Sequence, residues 1–265
     1  MPCELRKLIW ELRVLVERRS PSEVSASELG RKVFAWVRSV RADFARQGTA
    51  ETILQWPLKA PRLSYKVSYV QLVLKYDPAI SQHLSPKEPW THRGSAGRNA
   101  QGTAFRLILR IAVPVIEDWM LEPLSNDITG VIRHEMEHGS QYARGEDPGA
   151  GVQRQTDTTG ERNWGDISAT RTYLLDPHEL QATATQLYLM AKRAKKPVSE
   201  FIEGKVAKLF KALKRRGVPQ ADIDALADDY RKAVTDHVRK RYPTAQFRTR
   251  SGDIVLAQDL TRSWW

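Results

Sequence analysis

Two histidines four residues apart, His134 and His138, lie in a run of helical periodicity, and this pairing constrains the chain more than any other feature. The run reads Val131-Ile132-Arg133-His134-Glu135-Met136-Glu137-His138 and contains H-E-x-x-H. On a helix, residues four apart stack on one face, one turn up. Both rings can then place a nitrogen on the same ion, at the roughly 2.0–2.1 Å of a Zn–N bond. Glu135 lies about 100° around the helix from His134. It is off the ion but beside its open position, where a carboxylate can take a proton from bound water. The helical context is present: Ser125-Asn126-Asp127 offers cap residues, Ile128, Val131 and Ile132 form an apolar stripe, and Gly145 marks a stop after Arg144.

The single cysteine, Cys3, excludes an intrachain disulfide framework and any cysteine-rich zinc site. One zinc ion would therefore be held by histidine and carboxylate, with three protein ligands and one open position for catalysis. An extended form of the motif places a third histidine at the position occupied here by Arg144, so that form is excluded. Further on, Tyr173-Leu-Leu-Asp-Pro177-His178-Glu179-Leu-Gln-Ala182 opens another helix. Ala182 and Thr183 leave a small-residue face that can pack against the first helix and let a short carboxylate reach the ion. Glu179 is the favoured third ligand, and the adjacent His178 is its rival. A second role for Glu179 stays open. With Asp176 as N-cap and Pro177 at the first helical position, Glu179 falls where a capping box would use it on the cap's own N–H. Glu137, roughly 200° from Glu135 on the helix, reads as a surface group or as one orienting a histidine.

Elsewhere the pattern predicts an amphipathic helix over 4–19 and a second from about Ser25 to Gln47, with Leu29, Val33, Val37 and Val40 inward. Residues 48–61 read as a connector. Leu63 to Tyr76 reads as a strand or hairpin arm, and 77–103, which includes His92-Arg93-Gly94, reads as a long loop. A further strand is expected from Ala104 to Val113, where Phe105, Leu107, Leu109 and Ile111 alternate with Arg106 and Arg110. Residues 145–166 form a long excursion without apolar period. Amphipathic helices then run from Asp176-Pro177 to about Lys196, over Ser199–Arg216 and over Gln220–Arg241. The terminal Trp264-Trp265 pair is expected to dock on the body. The expected class is α+β, mostly helical, with a small antiparallel or mixed sheet preceding the H-E-x-x-H helix. Three regions are expected: an N-terminal helical extension (1–61), a core (62–196) and a basic C-terminal helical region packed on it (197–265).

The two motifs together resemble the gluzincin type of zinc metallopeptidase, in which one helix supplies H-E-x-x-H and a later helix supplies a glutamate. The Y-x-x-x-P-x-E-x-x-A spacing at Tyr173, Pro177, Glu179 and Ala182 is similar to that of metallopeptidases encoded by bacteriophages. The resemblance covers about residues 63–195. It implies a zincin-like fold, one zinc ion, Glu135 as general base and a protein or peptide substrate. It also implies an edge strand that aligns an extended substrate by strand addition, a role 104–113 would fill. Oxyanion stabilisation needs a donor beside the open position, for which Tyr173 and Tyr142 are candidates. Arg171 is a candidate for binding a substrate carboxylate.

No stretch approaches the ~18 apolar residues of a membrane span, and the N-terminus lacks the apolar core of a secretory signal. A cytoplasmic protein is expected, in the host cytoplasm or in the virion if it is phage-encoded. The net charge of +11 is concentrated: residues 192–250 hold 17 Lys/Arg against 7 Asp/Glu. A solvated helical surface accounts for such a run, and a patch for nucleic acid or another polyanion is the alternative. Two further functions stay open on these grounds. One is a nucleic-acid-associated protein, with a structural zinc site or a peptidase acting on DNA-bound proteins. The other is a zincin-fold binding module without turnover.

Overall fold

Apolar alternation through Phe105, Leu107, Leu109 and Ile111 builds the centre of the molecule. All four side chains are buried, while Arg106 and Arg110 point outward. The computed structural model describes residues 21–55, 65–99, 102–146, 166–249 and 251–260. In chain order its elements are α1 (Pro21–Gln47), β1 (Thr49–Gln55), β2 (Val67–Tyr76), a short 3-10 helix (Pro78–His83), β3 (Trp90–Asn99), β4 (Gly102–Ile111), α2 (Asp118–Ala143), α3 (Ile167–Leu174), α4 (Pro177–Ala194), α5 (Val198–Lys214), α6 (Gln220–Arg241) and a hairpin of β5 (Gln246–Arg248) with β6 (Ile254–Leu256). The chain is mixed α+β with a small mixed sheet. The expected helix at 4–19, the Trp264-Trp265 pair and residues 147–165 of the expected excursion lie outside the described residues.

The main sheet has the order β1-β2-β4-β3. β1 runs antiparallel to β2, β2 parallel to β4, and β3 antiparallel to β4. This corrects three expectations. Part of the supposed connector at 48–61 is β1, part of the supposed loop at 77–103 is β3, and the strand at 104–113 is central, not an edge. The edges are β1 and β3, and β3, Trp-Thr-His-Arg-Gly-Ser-Ala-Gly-Arg-Asn, is polar and has two glycines. Its own residues carry little strand propensity. Ten paired positions on β4, from Trp90–Ile111 to Asn99–Gly102, hold it in place instead.

α2 begins at Asp118, two turns before the expected cap at Ser125-Asn126-Asp127, and carries Pro123 inside it. Met120, Leu124 and Ile128 explain this: all three are fully buried on one stripe. A proline in the second turn removes one hydrogen bond, and the burial of that stripe outweighs the loss. The stop at Gly145 is as expected, with φ +81°, a conformation that favours glycine. α6 has the bounds read from the sequence, and its stripe of Ile223, Leu226, Tyr230, Val234 and Val238 is buried.

Two apolar cores result. The first joins Leu29, Val33, Val37 and Phe44 of α1 to the inner sheet face and to Leu124, Ile128, Val131 and Ile132 of α2. α1 and β1, from the 1–61 segment, therefore share the sheet's own core. The second core joins Leu180, Ala184 and Leu187 of α4 to α5, α6 and Phe247 of the hairpin. α2 and α4 meet between the two. They approach closely at Gly130, where a Cβ would stand 2.6 Å from Met190 Sδ. No helix among the described residues is long and apolar enough to cross a membrane.

Candidate metal centre

His134 and His138 project from α2, and Glu179 from the first turn of α4, into the seam between the two cores. The His134 and His138 Nε2 atoms are 3.1 Å apart. Glu179 Oε2 lies 3.5 Å from His134 Nε2, and its Oε1 lies 3.5 Å from His138 Nε2. Ligands about 2.0–2.1 Å from a tetrahedral centre stand about 3.3 Å from one another. Each Glu179 oxygen faces a different imidazole, and one ligand atom from each of the three side chains falls within 4.8 Å of the others, an arrangement compatible with one metal ion.

The hydrogen bonds around the triad select the ligating forms. Gln141 Nε2 donates to the carbonyl of His178 at 3.1 Å, which leaves Gln141 Oε1 as the acceptor facing His138 Nδ1 at 2.7 Å. A carbonyl can only accept, so His138 carries a proton on Nδ1, which leaves Nε2 as the nitrogen turned toward an ion. Tyr173 donates its hydroxyl proton to Glu179 Oε2 at 2.6 Å and fixes the carboxylate's orientation.

Glu179 is released for this role by its own cap. Asp176 accepts from the backbone N–H of His178 at 2.8 Å and of Glu179 at 3.2 Å, while the Asp176 N–H goes to the Tyr173 carbonyl. The reciprocal bond of a capping box is therefore taken by backbone, and the Glu179 side chain points at the histidines instead. Burial pushes the Glu179 carboxyl up, but the histidines and Tyr173 outweigh it and bring it down to about 2. Burial pushes His134 down to about 4 against the pull of Glu179. The His134 ring is thereby held neutral and Glu179 ionised at neutral pH, the forms in which each can bind a divalent cation.

Glu135 faces β3 and not the triad's helix partner. It is 9% exposed, and a Cβ on Gly94 would stand 2.4 Å from its Oε1 and 2.8 Å from Val131 Cγ1. The edge strand therefore runs directly across Glu135, at a position where only a glycine leaves room for the carboxylate.

The remaining expected residues fall as follows. His178 stays out of the triad: its Nδ1 lies 3.3 Å from Glu146 Oε2. Glu137 neither lies on the surface nor orients a histidine. It is buried, bonded to Arg133 Nη1 at 3.0 Å, to Arg241 Nη1 and Nη2 at 2.9 and 3.1 Å, and to Gln181 Nε2 at 2.7 Å. Its distance around the helix from Glu135 turns it toward α4 and the end of α6. Burial pushes its carboxyl up, but the guanidinium groups of Arg133 and Arg241 more than reverse this and hold it below the usual carboxylate range. Arg171 on α3 pairs with Asp229 of α6 at the exposed surface. Tyr142, one turn beyond His138, is half-buried. The sequence reading overlooked Gln141 and Gly94. An amide at i+3 from a ligand histidine is a usable signal for the first; the second becomes visible only once β3 is known.

No family model, curated protein or solved structure matches the chain.

Proposed function

We propose that this chain is a zinc-dependent metallopeptidase on a zincin-like fold, with His134, His138 and Glu179 holding the ion and Glu135 acting as general base. The observation that carries this reading is the Gln141 bond that holds His138 by Nδ1 and turns its Nε2 toward His134 Nε2 and Glu179. When bound, zinc supplies a Lewis acid and lowers the pKa of a coordinated water toward about 7. Glu135, next to His134 in the chain and packed against β3 at Gly94, is the carboxylate that would accept a proton from a water and pass it to the leaving amine. Tyr173 keeps Glu179 oriented while this happens.

Of the two edge strands, β1 and β3, it is β3 that lies against the H-E-x-x-H helix, and its unpaired side is where an extended peptide would add as a further strand. Gly94 puts that strand against Glu135. A peptide lying along β3 therefore passes the base, which favours an amide substrate over a small molecule.

The test is hydrolysis of an unstructured protein by the zinc-loaded chain, compared with Glu135→Gln. The variant should keep stoichiometric metal and lose turnover by about 10²-fold or more. Equal turnover would remove the reading, and a functional role unaffected by the variant would favour a binding module. The nucleic-acid reading has less support. Several cations of the basic segment are engaged within the protein: Arg231 with Glu203, Arg241 with Glu137, Arg248 with Glu200, and Arg239 with the Ala257 and Leu260 carbonyls. Salt-dependent DNA binding that vanishes without residues 192–265 would revive it.

A further inference from the structure

The helices α1 and α2 cover one face of the main sheet. Leu54 of β1, Leu72 of β2, Leu107 of β4 and Ala96 of β3 all point into the core they share with those helices. The residues between them in each strand point the other way. On that outer face Lys75, Arg93, Arg106 and Arg110 are all exposed. The strands set one carboxylate among them, Glu51 of β1. It is engaged by an amide and not by a cation, since Gln71 Nε2 donates to Glu51 Oε1 at 2.6 Å.

The register lines these cations up. Lys75 is opposite Arg110 across β2 and β4, and Arg93 is opposite Ile108, which makes it a diagonal neighbour of both Arg106 and Arg110. Adjacent strands are about 4.8 Å apart, and diagonal neighbours about 7–8 Å. Tyr69 is opposite Ala104, so its exposed ring stands diagonal to Arg106 at the other end of the same track. Like charges in such positions repel one another. Asp77 lies 3.8 Å from Arg110, while Arg106 and Lys75 have no ion pair among the described residues. The face is short of negative charge, and a ligand with anions at regular intervals would meet several of these cations at once.

We propose that the outer face of the main sheet binds a single-stranded nucleic acid, with phosphates along Arg106, Arg93, Arg110 and Lys75 and a base stacked on Tyr69. A repeated anion matches a track of cations, and a single strand has base faces free to stack where a duplex keeps them paired inside. Between the cations Val73 is buried and Ile108 half-buried, and Ile53 is the large aliphatic side chain exposed on this face. That leaves little apolar surface for a lipid or a hydrophobic protein partner. The surface lies on other elements than the basic segment 192–250, and the inference stands apart from the peptidase reading.

The probe is a fluorescently labelled oligothymidine of about 20 nucleotides, longer than one such site, and its binding to the full chain is followed by anisotropy. With about three or four phosphates neutralised, affinity should fall about 20- to 50-fold between about 50 and 200 mM salt. Arg106→Gln with Arg110→Gln should weaken binding at the lower salt by about tenfold and flatten the salt dependence, while Arg106→Lys with Arg110→Lys keeps both. Tyr69→Val should cost about tenfold at either salt, and Tyr69→Phe should cost little. Lys211→Gln with Lys214→Gln, which removes two exposed cations from α5, should change nothing. If the double arginine variant does not fold, Arg106→Gln and Lys75→Gln serve singly, each lowering the salt slope by about 0.7. No binding at low salt, or binding that survives loss of the sheet cations, overturns the proposal. So does a loss as large in the α5 variant, or an affinity indifferent to Tyr69→Val. A duplex of equal length, polyglutamate or phosphatidylserine vesicles that compete as well as the unlabelled oligothymidine would also overturn it, each in favour of a different partner.

Discussion

Gly94 and Glu135 are in contact across the gap between the edge strand and the H-E-x-x-H helix, so closely that a methyl group at 94 would stand 2.4 Å from Glu135 Oε1. Val131 Cγ1, at 2.8 Å from the same position, blocks the other direction of escape. Gly94→Ala must therefore displace the Glu135 carboxylate or lift β3 away from α2. Since a misplacement of about 1 Å at a reacting group can cost about 10²-fold, kcat/KM for a peptide should fall by about that factor while bound zinc remains stoichiometric. Unchanged kcat/KM would show that Glu135 does not act from where it lies.

Metal content discriminates among the ligands. His134→Ala, His138→Ala and Glu179→Ala should each lose stoichiometric zinc, measured by elemental analysis after dialysis. His178→Ala should retain it, because that ring faces Glu146. Full zinc in the Glu179 variant with unchanged affinity would remove α4 from the site.

Gln141→Leu keeps the helix and the bulk but abolishes the tautomer selection at His138. Groups that orient a ligand histidine are worth about 10–100-fold in metal affinity, and a loss in that range is expected from competition with a chelator. An unchanged affinity would mean that His138 reaches its ligating form without help.

Glu137→Gln tests stability instead of chemistry. Arg133 and Glu137 are each 1% exposed in side chain, so neutralising the carboxylate leaves the Arg133 guanidinium buried without its counter-ion. Breaking such a pair costs about 3–5 kcal/mol, read as a lower denaturation midpoint at neutral pH. The carboxyl is held below its usual range in the folded state, so its contribution is complete above the unfolded carboxylate pKa of about 4.3 and is lost as pH falls through the folded value. The gap between wild type and variant should accordingly narrow in acid and stay constant from about pH 6 upward. A gap that widens in acid would contradict the assignment.

Legibility in the sequence followed the range of the interaction. The buried alternation at Phe105–Ile111 and the stripe of α6 are written in neighbouring residues, and the bounds of α6 could be read directly. The placement of Glu179 was also local, because Asp176-Pro177 starts a helix whose first turn must carry it. β3 was invisible because its residues favour no strand and only pairing with β4 makes it one. Gln141 was missed because its second bond, to the His178 carbonyl, comes from 37 residues away. The start of α2 was read too late because Ser125-Asn126-Asp127 offers local cap residues, while the Met120–Leu124–Ile128 stripe that carries the helix back to Asp118, through Pro123, is fixed by burial.

The seam between the two cores has a thermodynamic consequence. His134 and His138 belong to the helix that closes one core, while Glu179 belongs to the helix that closes the other. An ion bridging them enters the folding equilibrium of both, contributing about 2.7 kcal/mol at a free concentration one hundred times its Kd. With the ion bound, the halves should melt in a single transition whose midpoint climbs with metal concentration. Stripped of it, they are free to melt in sequence, and the cleft would open along the line where α2 and α4 part.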